Sequence, residues 1–126
     1  MTAEKKNVVT VLRALEALSS ELGVDAPLTY ARVLLYVSVA GDSGMDHGDL
    51  TKMLDTSPAA TVRATQALGK FHWTKDEHGN KKPGLDLMET EQNPQNFRLR
   101  THKLTAKGKR LIEKLAGGKT SDRQTT

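Results

Sequence analysis

Basic side chains are the clearest candidates for chemistry in this sequence. Between Glu91 and Glu113 the chain has no acidic residue, yet it has six basic ones: Arg98, Arg100, Lys103, Lys107, Lys109 and Arg110. Such a block favours binding to a phosphate backbone, because cations that neutralise phosphates release condensed counterions. Arg98 is best placed to enter a minor groove. The alternative is a solvated hairpin and helix edge, to which charge runs commonly belong.

A second candidate is a predicted helix that begins after Ser57, a suitable N-cap, with Pro58 at its first position. Apolar spacing predicts a buried face made of Val62, Thr65, Leu68 and Gly69. The predicted outward face then consists of Ala60, Thr61, Arg63, Ala64 and Ala67. Small side chains let a helix approach base edges, where Arg63 can donate two hydrogen bonds to guanine and Thr61 can contact a phosphate or a thymine methyl. An ordinary alanine-rich surface helix is the alternative.

Other kinds of site have weaker support. Two histidines and two carboxylates lie close together in the chain, but without the spacing of zinc ligands: His72, Asp76, Glu77 and His78. His47 and His102 are expected at a loop or groove edge rather than as catalytic bases. Trp73 is expected to pack at the base of a hairpin. Because no nucleophile elbow, phosphate loop or dinucleotide fingerprint is present, we expect no enzyme activity, no cofactor and no metal site.

Composition narrows the class of partner. The 126 residues suit one domain of ordinary size. Residues 1–69 hold 6 basic and 8 acidic side chains and residues 70–126 hold 13 and 7, so the net charges are −2 and +6. The positive second half favours a polyanionic partner. The absence of cysteine removes disulfides and thiolate chemistry and favours a reducing cytoplasm.

A membrane location is not expected. The longest apolar run, residues 33–37, is far below the roughly 20 residues that a membrane-spanning helix needs. The N-terminus lacks the basic segment and apolar core of a signal peptide. We therefore expect a cytoplasmic protein with no membrane partner.

Apolar residues at spacings of three and four predict five helices that would position these side chains. The first runs from Val8 to Leu22 and ends near Gly23. The second continues to Ala40, the third reaches Leu54, and the fourth runs from Pro58 to about Lys70. The last contains Leu111, Ile112 and Leu115 and ends at Gly117-Gly118. Besides Ser57, the candidate N-caps are Thr29, Asp46 and Thr105.

Between the fourth and fifth helices the pattern becomes strand-like, over Phe71–Trp73, Leu85–Glu89 and Phe97–Leu104. Three short helices, a β-hairpin and a closing helix follow the order of a winged helix, in which the third helical element enters a major groove. The predicted fold class is α+β, mostly α: a winged helix-turn-helix with an N-terminal dimerisation helix and a C-terminal helix. Residues 1–118 would form this single domain, with the helix-turn-helix at about 46–70 and the wing at about 85–104. Residues 119–126 are expected to be a disordered tail.

Several motifs resemble those of the multiple-antibiotic-resistance-regulator (MarR) family. In the helical part they are Leu28-Thr29 with Val33-Leu34, Met45-Asp46-His47-Gly48-Asp49-Leu50 with Leu54, and Ser57-Pro58-Ala59-Ala60-Thr61-Val62 with Leu68. The segment Asn93-Pro94-Gln95-Asn96-Phe97-Arg98 resembles the family's Asp-Pro-x-Asp-x-Arg wing tip. Leu104-Thr105-Ala106-Lys107-Gly108 resembles its Leu-Thr-x-Lys-Gly entry into the next helix. The resemblance covers about Leu28 to Leu115.

The sequence also departs from the family's pattern. Asn93 and Asn96 stand where the family has two aspartates that brace the wing arginine. The segment Lys75–Gly84 looks like an insertion between the recognition helix and the wing. The C-terminal dimerisation helices look shortened.

The resemblance implies a homodimeric, sequence-specific regulator of transcription that binds double-stranded DNA, and we expect a repressor on an inverted-repeat operator. The predicted DNA-binding residues are Ser57, Ala60, Thr61, Arg63, Ala64, Arg98, Arg100 and Lys103. The predicted dimerisation stripe on the first helix is Val8, Val11, Leu12, Leu15, Leu18 and Leu22. A small-molecule effector of unknown identity is a further expectation. The alternative is a winged-helix protein-interaction module that binds a polymerase or another regulator.

Overall fold

The computed structural model describes residues 2–117, apart from the side chains of Phe97 and Arg98. The predicted tail at 119–126 lies outside these residues. The helices are α1 (Ala3–Leu22), α2 (Leu28–Ala40), α3 (His47–Leu54), α4 (Pro58–Leu68) and α5 (Ala106–Leu115), with a short 3-10 turn at Gly41–Ser43. The strands are β1 (Met45–Asp46), β2 (Phe71–Lys75), β3 (Lys81–Pro83), β4 (Met88–Asn93) and β5 (Asn96–Leu104). This order confirms the predicted winged helix-turn-helix.

Local capping chemistry explains where the helices begin. α1 starts five residues before the predicted Val8, because the Thr2 hydroxyl accepts a hydrogen bond from the backbone N–H of Lys5 at 3.1 Å. The prediction that Thr29 caps α2 is wrong. The helix already begins at Leu28, Pro27 is the N-cap residue, and its side chain makes no capping hydrogen bond.

The described chain divides into two compact units, one of which, Pro27–Lys109, contains the helix-turn-helix and both sheets. Its core is formed by fully buried aliphatic side chains of α2, α3, α4 and the loop before β4: Val33, Leu34, Val37, Leu50, Leu68 and Leu87. Burial of these side chains is the main driving force that holds the helices in place.

The other unit contains α1 and the end of α5. Most of the predicted dimerisation stripe on α1 is exposed, namely Val8, Val11, Leu12 and Leu15. The prediction that Leu18 belongs to this stripe is wrong, because the residue is only 5% exposed in the single chain and its side chain is not available to a partner. Leu22 is part-buried.

The main sheet has the strand order β1-β5-β4, all antiparallel. β1 pairs Met45 with His102 and Asp46 with Thr101, which ties the start of α3 to the wing. Gly44 makes this pairing feasible, because it has a φ of +80° and an added Cβ would meet the Thr101 side chain and the His102 carbonyl at 2.6 and 2.8 Å. β2 and β3 form a separate two-stranded sheet, and the pattern of strand-like pieces did not predict β1 or β3.

No helix within residues 2–117 combines the length and the apolar character needed to cross a membrane.

Candidate nucleic-acid interface

The helix-turn-helix is fixed by two side-chain caps. The Asp46 carboxylate accepts hydrogen bonds from the backbone N–H groups of Gly48 and Asp49 at 2.9 and 3.2 Å. α3 ends at Leu54, and its C-cap residue Asp55 adopts the left-handed conformation with φ of 54°. The Ser57 hydroxyl then accepts from the N–H of Ala60 at 3.1 Å, with proline at the start of α4. Both predicted caps are confirmed, and together they set the direction of α4.

The predicted outward face of α4 is partly wrong. Thr61, Ala64 and Ala67 are 0%, 1% and 2% exposed, so they belong to the core. Residues 61, 64, 65 and 68 form an i, i+3, i+4, i+7 stripe, which is the spacing of a buried helix face. The alanines lack bulk at this face and therefore let α4 pack closely. The prediction that the side chains of Thr61 and Ala64 contact DNA is therefore wrong.

Thr61 is buried without cost because its hydroxyl is satisfied. It donates to the carbonyl of Ser57 at 3.2 Å and accepts from the Thr51 hydroxyl at 3.0 Å. This hydrogen bond links α3 to α4 inside the core. A hydroxyl that bonds back to its own helix in this way can be buried as readily as an apolar side chain.

The face that α4 does present to solvent carries Arg63 and Gln66, both exposed. Arg63 makes no ion pair within residues 2–117. Ser57 is exposed at the start of the helix and Ala60 is part-buried. Gln66 was missed by the sequence reasoning, although its position three residues after Arg63 places the two side chains on one face. We call Arg63 and Gln66 the reading pair.

The wing is the β4–β5 hairpin, with Pro94 and Gln95 in its turn. The Asn93 side-chain carbonyl accepts from the backbone N–H of Gln95 at 2.8 Å. The asparagine thereby makes the turn-stabilising hydrogen bond that an aspartate also makes in Asx turns. The side chain of Arg98, predicted to contact DNA, lies outside the described residues. Arg100 is part-buried on β5.

Much of the predicted basic block is occupied by contacts within the chain. The Lys103 ammonium lies 3.0 Å from a Glu91 carboxylate oxygen, and both are partly exposed. The Lys109 ammonium lies 3.2 Å from Asp42. Lys107 donates to the carbonyl of Leu85 at 2.9 Å. The absence of acidic residues in the sequence between 91 and 113 therefore does not mean that these cations lack partners, since the fold supplies them from elsewhere.

Two histidines meet at the junction of α3 and the wing. His47 Nδ1 lies 2.8 Å from His102 Nε2, and His102 Nδ1 lies 2.8 Å from the Thr90 hydroxyl. Both rings are buried, so their predicted location at a loop or groove edge is wrong. Within the described residues, His47 Nε2 is buried without a hydrogen-bond partner. The pair joins the first residue of α3 to the central strand of the main sheet.

Burial, followed by the charges of His47 and Arg100, lowers the pKa of His102 from 6.5 to about 4 against the opposing effect of Asp46. Burial also lowers the pKa of His47; Arg100 acts in the same direction, whereas Asp46 and the nearby backbone of Pro58 oppose it. The desolvation of the charged ring is thus the dominant cause in both cases. Both imidazoles are neutral at neutral pH, so they act as hydrogen-bonded core groups rather than as phosphate contacts.

An open cleft of about 510 Å³ lies beside α4. Its lining includes Gln66 of α4 together with Arg100 and His102 of β5. A side chain of the reading pair and a cation of the wing therefore face the same concave surface. The part of the chain that the structure describes has no group of three or more His, Cys, Asp or Glu side chains that could hold a metal ion.

The helix-turn-helix, its exposed reading pair and the adjoining β-hairpin define a winged-helix protein. The fold matches that of MarR-family regulators. A MepR–DNA complex from S. aureus superposes with a TM-score of 0.63 at 17% identity, over 90% of this chain and 78% of that one. RV1404 from Mycobacterium tuberculosis gives 0.59 at 17% identity, over 90% and 65%.

The PcaV transcriptional regulator from Streptomyces coelicolor, in complex with its natural ligand, gives a TM-score of 0.51 at 17% identity, over 90% of this chain and 68% of that one. No protein-family model matches the sequence, and no curated protein matches it either. At these identities the likeness establishes the fold alone.

Proposed function

We propose that this protein is a DNA-binding transcriptional regulator rather than an enzyme, and that α4 reads bases in a major groove. The observation that carries this proposal is the exposed Arg63 on a capped helix, free of ion pairs within residues 2–117 and flanked by Gln66. An arginine can donate two hydrogen bonds to guanine, and a glutamine can pair in the same way with adenine. The fold shared with a MepR–DNA complex supports the same geometry.

Selection of bound sequences from random duplex DNA tests the proposal directly. Enrichment of a defined sequence is expected, and enrichment of none would contradict sequence-specific binding. Arg63→Ala should then lower the preference for the selected site over random duplex by about 5- to 150-fold for each half-site bound, which corresponds to the roughly 1–3 kcal/mol of one bidentate base contact. Arg110→Ala, an equal charge change at an exposed position of α5, is the matched control and should retain that preference.

We further propose that the regulator is a homodimer held by α1. Val8, Val11, Leu12 and Leu15 are exposed large apolar side chains on this helix, and an apolar stripe of that kind is a common dimer surface. Two copies related by a twofold axis would address half-sites about one DNA turn apart, so the operator would be an inverted repeat. Sedimentation at micromolar concentration should show a dimer, and Leu15→Glu should dissociate it. A monomeric wild-type protein would contradict this arrangement.

Repression is the proposed outcome of binding. A promoter that contains the selected site should be less active in the presence of the protein, and should regain activity with Arg63→Ala. Increased activity with the wild-type protein would instead identify an activator. A small-molecule effector stays a proposal, supported by the ligand-bound forms of MepR and PcaV that share the fold.

One observation favours a second candidate, a winged-helix module that binds another protein. Leu35 and Val39 are exposed on α2, and together with Arg32 and Tyr36 they line a shallow hollow of about 240 Å³. Retention on duplex DNA or heparin separates the two candidates. If the protein binds DNA, it should be retained at low salt and released at high salt. If its partner surface is an apolar protein interface, no such salt-sensitive retention is required.

A further inference from the structure

The segment between α4 and the wing forms the β2–β3 hairpin, and its base is fixed to the end of α4. The backbone N–H groups of Leu85, Asp86 and Leu87 donate to the carbonyls of residues 67, 69 and 68 at 3.0, 2.8 and 2.8 Å. Gly84 donates to the carbonyl of Lys70 at 2.9 Å. These bonds satisfy carbonyls that a helix end leaves unpaired. The hairpin is therefore an element with a set position beside α4.

A second attachment holds the hairpin against α2. The indole N–H of Trp73 donates to the Tyr30 hydroxyl at 3.4 Å. The Trp73 ring also stacks on that of His72, with centroids 5.3 Å apart. Trp73 therefore packs at the hairpin, as the sequence indicated, while it stays 45% exposed.

Four lysines in and beside this hairpin are exposed and lack a carboxylate partner within residues 2–117: Lys70, Lys75, Lys81 and Lys82. This distinguishes them from the wing, where Lys103 is paired with Glu91. Lys75 and Lys81 also lie directly opposite each other in the strand register. Like charges at such positions repel, so an anion bound between them would stabilise the pair.

The acidic residues of the hairpin turn do not neutralise these lysines. The Asp76 carboxylate accepts from the backbone N–H groups of His78 and Asn80, both at 2.9 Å. Glu77 lies 3.6 Å from the His78 ring. Both carboxylates lie at the tip of the turn and keep their negative charge, so the four lysines leave residues 70–83 with a net charge of +2.

The hairpin and the reading pair face the same cleft. Lys70 and Lys81 line it on the hairpin side, Gln66 on the α4 side and Arg100 on the wing side. The carboxylates of Asp86 and Glu89 also line it, so the three cations leave it with a net charge of +1. A polyanion that reaches Gln66 would therefore enter a cleft with cations from both the hairpin segment and the wing.

We propose that the β2–β3 hairpin is a second wing that binds the phosphate backbone of duplex DNA, without regard to sequence, alongside the bases that α4 reads. This inference rests on the proposed function. The hairpin cations would raise affinity for every duplex and leave discrimination between sequences to the reading pair, because phosphate contacts carry no sequence information.

The test is the triple variant Lys75→Ala, Lys81→Ala and Lys82→Ala. Binding to the selected duplex and to a random duplex would be measured by fluorescence anisotropy at several salt concentrations. Each lost phosphate contact lowers the slope of log affinity against log salt by about 0.9, so a fall of up to about 2.7 is expected for each bound copy. Both duplexes should lose affinity by the same factor. The control is Lys5→Ala, Lys6→Ala and Lys114→Ala, an equal charge change at exposed positions outside the hairpin, which should keep the wild-type slope.

The outcomes separate this inference from the proposed function. If the wild-type protein binds no duplex, the proposed function itself fails. If the wild type binds and the triple variant keeps its slope, or falls no further than the control, the second wing is refuted while the regulator is not. Thermal unfolding checks that the triple variant is folded. If it is not, Lys75→Gln and Lys81→Gln are measured singly, and each should lower the slope by about 0.9 for each bound copy; unchanged slopes in both would refute the inference.

Discussion

Acid should destabilise this protein through the His47–His102 pair. One of the two facing nitrogens must carry the proton and the other must accept it, since they lie only 2.8 Å apart. A second proton would place two N–H groups head to head, in a buried site that already faces the guanidinium of Arg100. The folded protein therefore resists protonation of His102 until the pH approaches its lowered pKa of about 4, whereas the unfolded chain takes up that proton near pH 6.5.

The direction and size of the effect follow from this difference. Between pH 6.5 and 4 the unfolded state binds more protons at His102 than the folded state, so stability falls as the pH falls and levels off below pH 4. For a pKa that moves from 6.5 to about 4, the loss of unfolding free energy between pH 7 and pH 5 is about 2 kcal/mol. The lowered pKa of His47 acts in the same direction.

Urea unfolding at pH 7, 6 and 5, compared between the wild type and His102→Gln, measures this contribution. The variant retains a polar group that can bond to Thr90 and His47 but cannot titrate. Between pH 7 and 5 the unfolding free energy of the variant should fall by about 2 kcal/mol less than that of the wild type, whatever its stability at pH 7. Parallel curves for the two proteins would refute the assignment of a lowered pKa to His102.

Three other substitutions test how α4 and the hairpin are held, each by urea unfolding at pH 7. Thr61→Val keeps the shape and removes the hydrogen bond between the Thr51 and Thr61 hydroxyls, while Thr51 keeps its bond to the His47 carbonyl, so it should cost about 1 kcal/mol; a neutral result would show that this hydroxyl does not hold α3 to α4. Ser57→Ala removes the cap of α4 and should cost about 1 kcal/mol, against no loss of stability for Ser20→Ala at an exposed position inside α1. Gly84→Ala places a Cβ against the Gly69 carbonyl and should cost about 1–3 kcal/mol, with wild-type stability as the contrary result.

The parts of the fold that could be predicted depend on residues near one another in the chain. Asp46, Ser57 and Thr105 were identified as caps because a cap bonds to an N–H only two or three residues ahead, and all three make that bond. The order of helices and hairpin followed from the same local signals. β3 was not predicted, because Lys81-Lys82-Pro83 has none of the β-branched or aromatic residues typical of strands.

The parts of the site that could not be predicted depend on partners far apart in the chain. His47 and His102 are 55 residues apart, and only the pairing of β1 with β5 brings them together. The sequence around Lys109 offers no acidic partner, whereas in the fold Asp42 lies beside it. The sequence predicts Thr61 to be a polar surface residue, whereas in the fold it is buried and accepts a hydrogen bond from the Thr51 hydroxyl of α3. In each case a polar group changes its role because of one tertiary contact.

Under the proposed function, dimerisation would compensate for the small number of base pairs that one reading pair can specify. Arg63 and Gln66 can each specify about one base pair, and each such contact supplies roughly 1–3 kcal/mol of discrimination. One copy would therefore distinguish its site from random duplex only weakly. A second copy joined through the exposed stripe of α1 would present the same pair to a symmetric half-site and double that free energy. The hairpin lysines cannot substitute for this second copy, because their contacts strengthen binding to the operator and to random duplex alike.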